Sequence, residues 1–343
     1  MTILDPLLDL FRGKAVTVPP LDGAFRPNRL LDEASALTSI SEPTDLAVKD
    51  GRTLVASGNA VHALKADGST EVVESFTAPV TALAVSPTGA LAVALDSGRL
   101  FVDGTEVKLP DGINCLIALS YAANGILLIA NGSFLHRPTD WRRDMMEKNA
   151  AGSVWALHPD GTTRRLADGL AWPSGVLADG AGVVVAEAWQ RRLVRIADGR
   201  SQVLVSNMPG YPARMSRAGE GVLLAVFAPV NRLIEFVLQE DDYRRAMMAE
   251  IPPDYWIAPA LASGNSFLEP LQCGGIKTMG IHKPWSPSRS YGLLVRLDRG
   301  FQPVASYHSR ADGRRHGVVA AVTAGGAIHV ACAGGGEILA LDA

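Results

Sequence analysis

The sequence predicts an all-β protein, a β-propeller closed by a strand from its N-terminal side. Three observations carry this. A phrase of short strands and tight turns recurs along the chain, anchored near Glu42, Pro79, Asn114, Pro173, Pro212 and His316. The strands within each phrase are separated by Asp-Gly and similar pairs, which mark hairpins. The last phrase carries only three strands, so a ring needs a further strand from elsewhere. Five or six units of about 35 to 50 residues indicate radial packing, because one such unit cannot bury its faces alone. A β-sandwich does not predict the repetition.

In chain order, residues 3–12 suit one short amphipathic helix, broken by Pro19-Pro20. Residues 21–40 are too polar for a core helix and are the expected source of the closing strand. The first unit runs from Glu42-Pro43 through Thr44-Asp45-Leu46-Ala47-Val48, the turn Asp50-Gly51 and two further strands. The second opens at Pro79 with TALAVSPTGALAVALDSGRLFV. The third opens at Asn114, and its third strand is delayed to Ser153–Leu157 by an insertion near 136–150. The fourth, WPSGVLADGAGVVVAEAWQRRLVRI from Trp172, is the clearest, with alternating or β-branched runs between Asp-Gly turns. The fifth opens at Tyr211-Pro212 and is interrupted by an insertion of about 231–290. The sixth opens at His316 and ends with the chain. This gives an N-terminal extension, 1–20, and a single propeller, 21–343.

The larger insertion is not strand-like. Leu233 to Met248 has apolar residues near helical spacing with acids ahead of its arginines, as a surface helix requires. Pro252-Pro253 ends it. Trp256 and Trp285 then lie in Pro-stiffened aromatic stretches. The insertion is expected either to lie over one channel mouth as a lid or to make a homodimer contact.

Composition narrows the function classes. The chain has 343 residues, 48% apolar and 20% charged, an ordinary globular balance that one large all-β unit accommodates. Net charge is -3 with no basic block, which removes the electrostatic footprint of nucleic-acid or membrane-surface binding. Cys115, Cys273 and Cys332 form no CxxC pair and read as free buried thiols of a reducing, cytoplasmic protein. Asp5 and Pro6 interrupt the N-terminal apolar run, and no small-residue cleavage site follows it, so it does not read as a signal peptide. GxSxG, HExxH, P-loop and GxGxxG motifs are absent, and AGGGE at 333–337 reads as a hairpin turn, since no helix follows it.

Three phrases resemble the strictosidine synthase-like proteins: DGLAWPSGVLADGAGVVVAEAWQRRLVRI, MPGYPARM, and YGLLVRLDRGFQPVASYHSRADGRRHGVVAAV. These relatives are six-bladed propellers akin to gluconolactonases, the senescence-marker-protein group and paraoxonases. The resemblance implies a small-molecule site at one channel mouth, often with calcium. It also implies ligand positions. Glu42 fits the glutamate and Asn114 a neighbouring asparagine. Ser174 stands where relatives have a metal-binding asparagine, and Ala213, followed by Arg214, where lactonases have an aspartate. Val319 falls where the plant synthase has its proton-accepting glutamate, which disfavours the Pictet-Spengler reaction. Calcium takes six to eight oxygens, so the expectation is no cofactor or a weakly held divalent cation on Glu42, Asn114 and Ser174.

The expected site therefore comprises His316 and Glu42 as proton-transfer groups. Asn114, Ser174, Tyr211, Arg214, His308, Trp256 and Trp285 are the expected substrate contacts. An imidazole titrates near neutrality and suits general acid or base work. Arg214 is expected to face Glu42 across the mouth, replacing a metal's charge or clamping an anion. Glu187 is expected to serve architecture by accepting strand amides. The reading is a small-molecule enzyme of lactone- or ester-hydrolysing type. The alternatives are a metal-free C–N or C–C bond-forming or -cleaving enzyme and a non-catalytic binding propeller.

Overall fold

The computed structural model describes residues 18–180, 182–270, 277–278, 281–282 and 289–342. The helix expected at 3–12, Cys273 and Trp285 lie outside them. The fold is a six-bladed β-propeller of four-stranded antiparallel sheets. Blade one is Pro43–Lys49, Arg52–Ser57, Ala60–Leu64 and Thr70–Ser75. Blade two is Val80–Val85, Leu91–Leu95, Leu100–Val102 and Thr105–Val107. Blade three is Leu116–Tyr121, Leu127–Asn131, Gly152–Leu157 and Thr163–Leu170. Blade four is Pro173–Asp179, Gly182–Glu187, Arg192–Ala197 and Arg200–Val205. Blade five is Gly210–Ala218, Gly221–Pro229, Gly292–Leu297 and Pro303–Ser309. Blade six is Val318–Ala324, Ala327–Cys332, Glu337–Asp342 and, from the N-terminal side, Ser35–Ser39.

Local chemistry sets the hairpins. Asp50-Gly51, Asp103-Gly104 and Asp198-Gly199 each place both residues at positive φ, 46 to 51° for the aspartates and 70 to 74° for the glycines. Two such residues make the turn whose twist matches flanking strands, and Asp-Gly tolerates it best. Between blades, apolar side chains from facing sheets mesh into separate clusters. Leu83, Leu91 and Val93 of blade two meet Leu54, Val61 and Ala63 of blade one. Leu177, Val184 and Leu193 of blade four meet Met215, Leu224 and Val295 of blade five.

Ser35–Ser39 pairs antiparallel with Glu337–Asp342, Ser35 opposite Ala340 and Ser39 opposite Glu337. Arg315 fastens this seam. Its Nη1 lies 2.6 Å from the Leu31 carbonyl oxygen and 2.5 Å from that of Ala34, and its Nε lies 3.1 Å from Glu337 Oε2.

All six inner strands share one irregularity. Each shifts register near its first residues, at Pro43/Asp45, Val80/Ala82, Leu116/Ala118, Pro173/Gly175, Pro212/Met215 and Val318/Ala320. A bulge re-aims the side chains beside it, and these bulges ring one mouth of the channel.

The two insertions rise on that side. The first carries the helix Trp141–Met146. The second carries Arg232–Gln239 and Asp241–Glu250, so the single helix expected over this stretch is two. The break falls at Glu240 (φ -90°, ψ 80°), and Arg244 Nη1 donates to the Leu238 carbonyl oxygen at 2.9 Å, satisfying a helix end left open there. Arg142 joins the insertions: its Nη1 lies 2.8 Å from Asp254 Oδ1, and its Nε donates to the Pro259 carbonyl oxygen at 3.3 Å. Among the described residues no helix is long and apolar enough to cross a membrane.

Candidate active site

A cavity of about 810 Å³ opens at the bulged mouth. Its walls include Glu42, Thr44, Thr81, Asp96, Ile117, Ser174, Ala213, Arg214 and Val319 from the blades. The insertions add Pro138, Thr139, Trp141, Arg142, Leu261, Ala262 and Asn265. The size is in the range of small-molecule sites, about 300 to 1,000 Å³.

Glu42 precedes the inner strand of blade one and is exposed to the cavity. Its φ is 46°, in the left-handed region, immediately before Pro43. Trp172 stands at φ 57° immediately before Pro173, at the matching place in blade four, and also lines the cavity. A non-glycine residue pays roughly 1 to 2 kcal/mol for that conformation, and such strain concentrates at functional sites. The Glu42 carboxylate has no hydrogen bond or ion pair with any described residue.

Arg214 lies in the channel, as expected, but does not face Glu42. The bulge turns it inward to Asp45, with Nε 3.2 Å from Asp45 Oδ2. Nη2 donates to the carbonyl oxygens of Thr81 at 2.5 Å and Ile117 at 2.7 Å, and Nη1 to that of Val319 at 3.4 Å. Asp45 also accepts the amides of Leu46 and Leu83, each at 2.8 Å. Burial pushes its carboxyl pKa up, against the opposing pull of Arg214 and the two amides. Asp45 was missed from sequence. Its signal was a lone acid inside the apolar strand TDLAV, because a buried charge needs a partner.

Ser174 lines the cavity but its hydroxyl serves the scaffold, lying 2.5 Å from the Pro212 carbonyl oxygen and 3.2 Å from that of Ala186. Asn114 is exposed and outside the cavity walls; its amide nitrogen lies 3.5 Å from the Phe134 carbonyl oxygen.

The histidines are not in the cavity either. His316 is buried, with Nε2 2.7 Å from the Arg310 carbonyl oxygen and Nδ1 2.7 Å from Ser290 Oγ. Nε2 must donate, so Nδ1 accepts, and burial lowers the pKa of this neutral ring. His308 is fully buried between Tyr291 Oη, 3.1 Å from Nδ1, and Ser306 Oγ, 2.7 Å from Nε2. Both rings have their nitrogens occupied by the scaffold, which corrects the expected catalytic and substrate roles. Tyr211 is likewise buried, donating to Glu235 Oε1 at 3.0 Å. Trp256 fills the interior of the second insertion, its Nε1 donating to the Ile251 carbonyl oxygen at 2.7 Å. Glu187 accepts the Ala171 amide at 2.8 Å and pairs with Arg192 at 2.6 Å, the architectural role expected of it.

The aromatic wall comes instead from Trp141 of the first insertion together with Trp172 of blade four and Phe227 of blade five. Trp189 stacks between Trp141 (6.4 Å between centroids) and Trp172 (5.3 Å), and Phe227 meets Trp141 edge-on at 5.4 Å. Asp144 fixes the stack by accepting from Trp189 Nε1 at 2.8 Å; burial raises its pKa. The second insertion reaches the mouth through Leu261. A Cβ at Gly334 or Gly317 would meet the Leu261 carbonyl oxygen, so these glycines let the insertion sit against blade six.

The residues at the blade mouths do not fit a calcium site. Glu42 offers a carboxylate, Ser174 points its proton at a carbonyl, Ala213 has no donor atom, and Arg214 adds a positive charge. Among the described residues no cluster of three His, Cys, Asp or Glu side chains forms a metal site.

No protein-family model and no curated protein matches the chain. Solved structures match along nearly its whole length. A gluconolactonase of Xanthomonas campestris aligns over 95% of both chains at 16% identity, with a TM-score of 0.56. The chain has the gluconolactonase-like propeller fold. Regucalcin of Agrobacterium tumefaciens, described as calcium-binding, aligns over 92% of this chain and 93% of its own at 15% identity and a TM-score of 0.54.

Proposed function

We propose that the cavity is the active site of a hydrolase acting on a small lactone or ester with an apolar body. The observation that carries this reading is Glu42, an unpaired carboxylate held in a strained backbone at the open mouth of the cavity. The gluconolactonase-like fold supports the reaction class. Trp141, Trp172, Phe227 and Ile117 provide apolar wall for the body of the substrate. Thr81 lines the same wall, and its buried Oγ1 has no hydrogen-bond partner among the described residues.

In this reading Glu42 takes a proton from water as its oxygen attacks the carbonyl carbon. The positive charge of Arg214 favours the oxyanion. The carbonyl re-forms as the ester C–O bond breaks, and the leaving oxygen takes the proton back from Glu42. Products are the hydroxy acid, or the acid and alcohol.

The test is a panel of γ- and δ-lactones and aryl esters assayed with wild type, Glu42→Gln and His316→Asn. Loss of about 100-fold or more in kcat/KM for Glu42→Gln is expected, within the usual range for a general base. Equal rates for wild type and Glu42→Gln would remove the reading. A non-catalytic binding pocket is the second reading, favoured by the fact that the scaffold already occupies Ser174 and most of Arg214. Stabilisation by panel members without turnover would select it. Val319 presents no proton acceptor to the cavity, so nothing there favours the C–N bond-forming alternative.

A further inference from the structure

We propose that Arg214 is the resident cation of this propeller, bridging the blades at the channel axis so that the fold and its cavity need no divalent metal. The proposal is independent of the reaction assigned above. It rests on the disagreement between the donor set and a calcium site, and on what the guanidinium touches.

Arg214 belongs to blade five, and its contacts span four others. Asp45 lies in blade one, the Thr81 carbonyl in blade two, the Ile117 carbonyl in blade three and the Val319 carbonyl in blade six. Blade four joins through Ser174, whose hydroxyl lies 2.5 Å from the carbonyl of Pro212, two residues before Arg214. Three inward carbonyl oxygens and a buried carboxylate are an acceptor-only set, which requires a cation or hydrogen-bond donors to be tolerated. A planar fork with five N–H groups satisfies several acceptors at once, which a lysine ammonium on a flexible stem does not match. The guanidinium also closes the channel. The large cavity lies on one side of it, and a pocket of about 40 Å³ lined by Asp45, Leu83, Met215 and Ala321 lies on the other.

Thermal melting of the purified protein in excess EDTA and in millimolar calcium tests the proposal directly. Wild type is expected to melt at the same temperature, within about 1 °C, in both. A fall of several degrees in EDTA, reversed by calcium, would overturn the proposal by showing that a metal bridges the blades. Arg214→Ala is expected to melt lower by about 5 to 10 °C, since it leaves a buried carboxylate unpaired. Arg214→Lys should fall between, because it restores charge without the fork. An Arg214→Ala protein melting within about 1 °C of wild type would also overturn the proposal. If Arg214→Ala does not fold, the chelation result and Arg214→Lys decide.

Discussion

The hydroxyl of Ser174 lies 2.5 Å from the carbonyl oxygen of Pro212, across the boundary between blades four and five. A serine whose proton is given to a backbone carbonyl, with no described base beside it, is a tie and not a nucleophile. Ser174→Ala is expected to lose about 0.5 to 1.5 kcal/mol in urea unfolding, the usual worth of such a bond. It should keep hydrolytic activity within about threefold of wild type, and a fluorophosphonate should fail to label Ser174.

The strain at Glu42 separates stability from activity. Glycine adopts positive φ without the steric cost, so Glu42→Gly should melt at or above the wild-type temperature. The same variant has no carboxylate, and its kcat/KM should fall at least as far as that of Glu42→Gln. A destabilised, active Glu42→Gly would contradict both halves.

His308 makes stability depend on acid. Burial lowers its pKa from 6.5 to about 4, so the fold holds the ring neutral while the unfolded chain takes up a proton near pH 6.5. The contribution is complete above pH 6.5 and is lost as pH falls from about 6.5 to about 4. His308→Asn should therefore be less stable than wild type at pH 7.5. That gap should narrow by about 2 to 3 kcal/mol at pH 4.5. Urea midpoints at the two pH values measure it.

Arg315 is the fastener of the closing strand. Its Nη1 contacts with Leu31 and Ala34 cross to the N-terminal segment, and its ion pair with Glu337 holds the guanidinium on the blade-six side. Arg315→Ala is expected to cost about 1.5 to 3 kcal/mol, the usual worth of hydrogen bonds to a charged group. Hydrogen exchange should rise first in Ser35–Ser39 and Glu337–Asp342.

The blades were legible because their signals are local. Asp50-Gly51 and Asp198-Gly199 dictate their own turns, and a three-stranded last unit demands a fourth strand, found at Ser35–Ser39. The site was far less legible. Alternation along a strand says which side chains face the channel only while the register holds, and every inner strand slips near its start. That slip is why Arg214 meets Asp45 and not Glu42. His316 stands at the start of its strand as expected, but contacts with Ser290 and Arg310 turn its ring into the scaffold, which strand alternation does not reveal. Trp256 and Trp285 were the covers expected from sequence, and Trp141 of the shorter insertion was not singled out. Both insertions reach the mouth, and the aromatic face of the first is set by Asp144 holding Trp189, a contact between blades.

The seam between Ser35–Ser39 and Glu337–Asp342 also sets a timetable. The partner of the closing strand leaves the ribosome roughly 300 residues after it, on the order of 15 to 60 s later at ordinary translation speeds. Throughout that interval the ring stands open, and the edge of the newest blade has no neighbour. Earlier blades can stack as they are made, but closure of the ring waits for Glu337–Asp342.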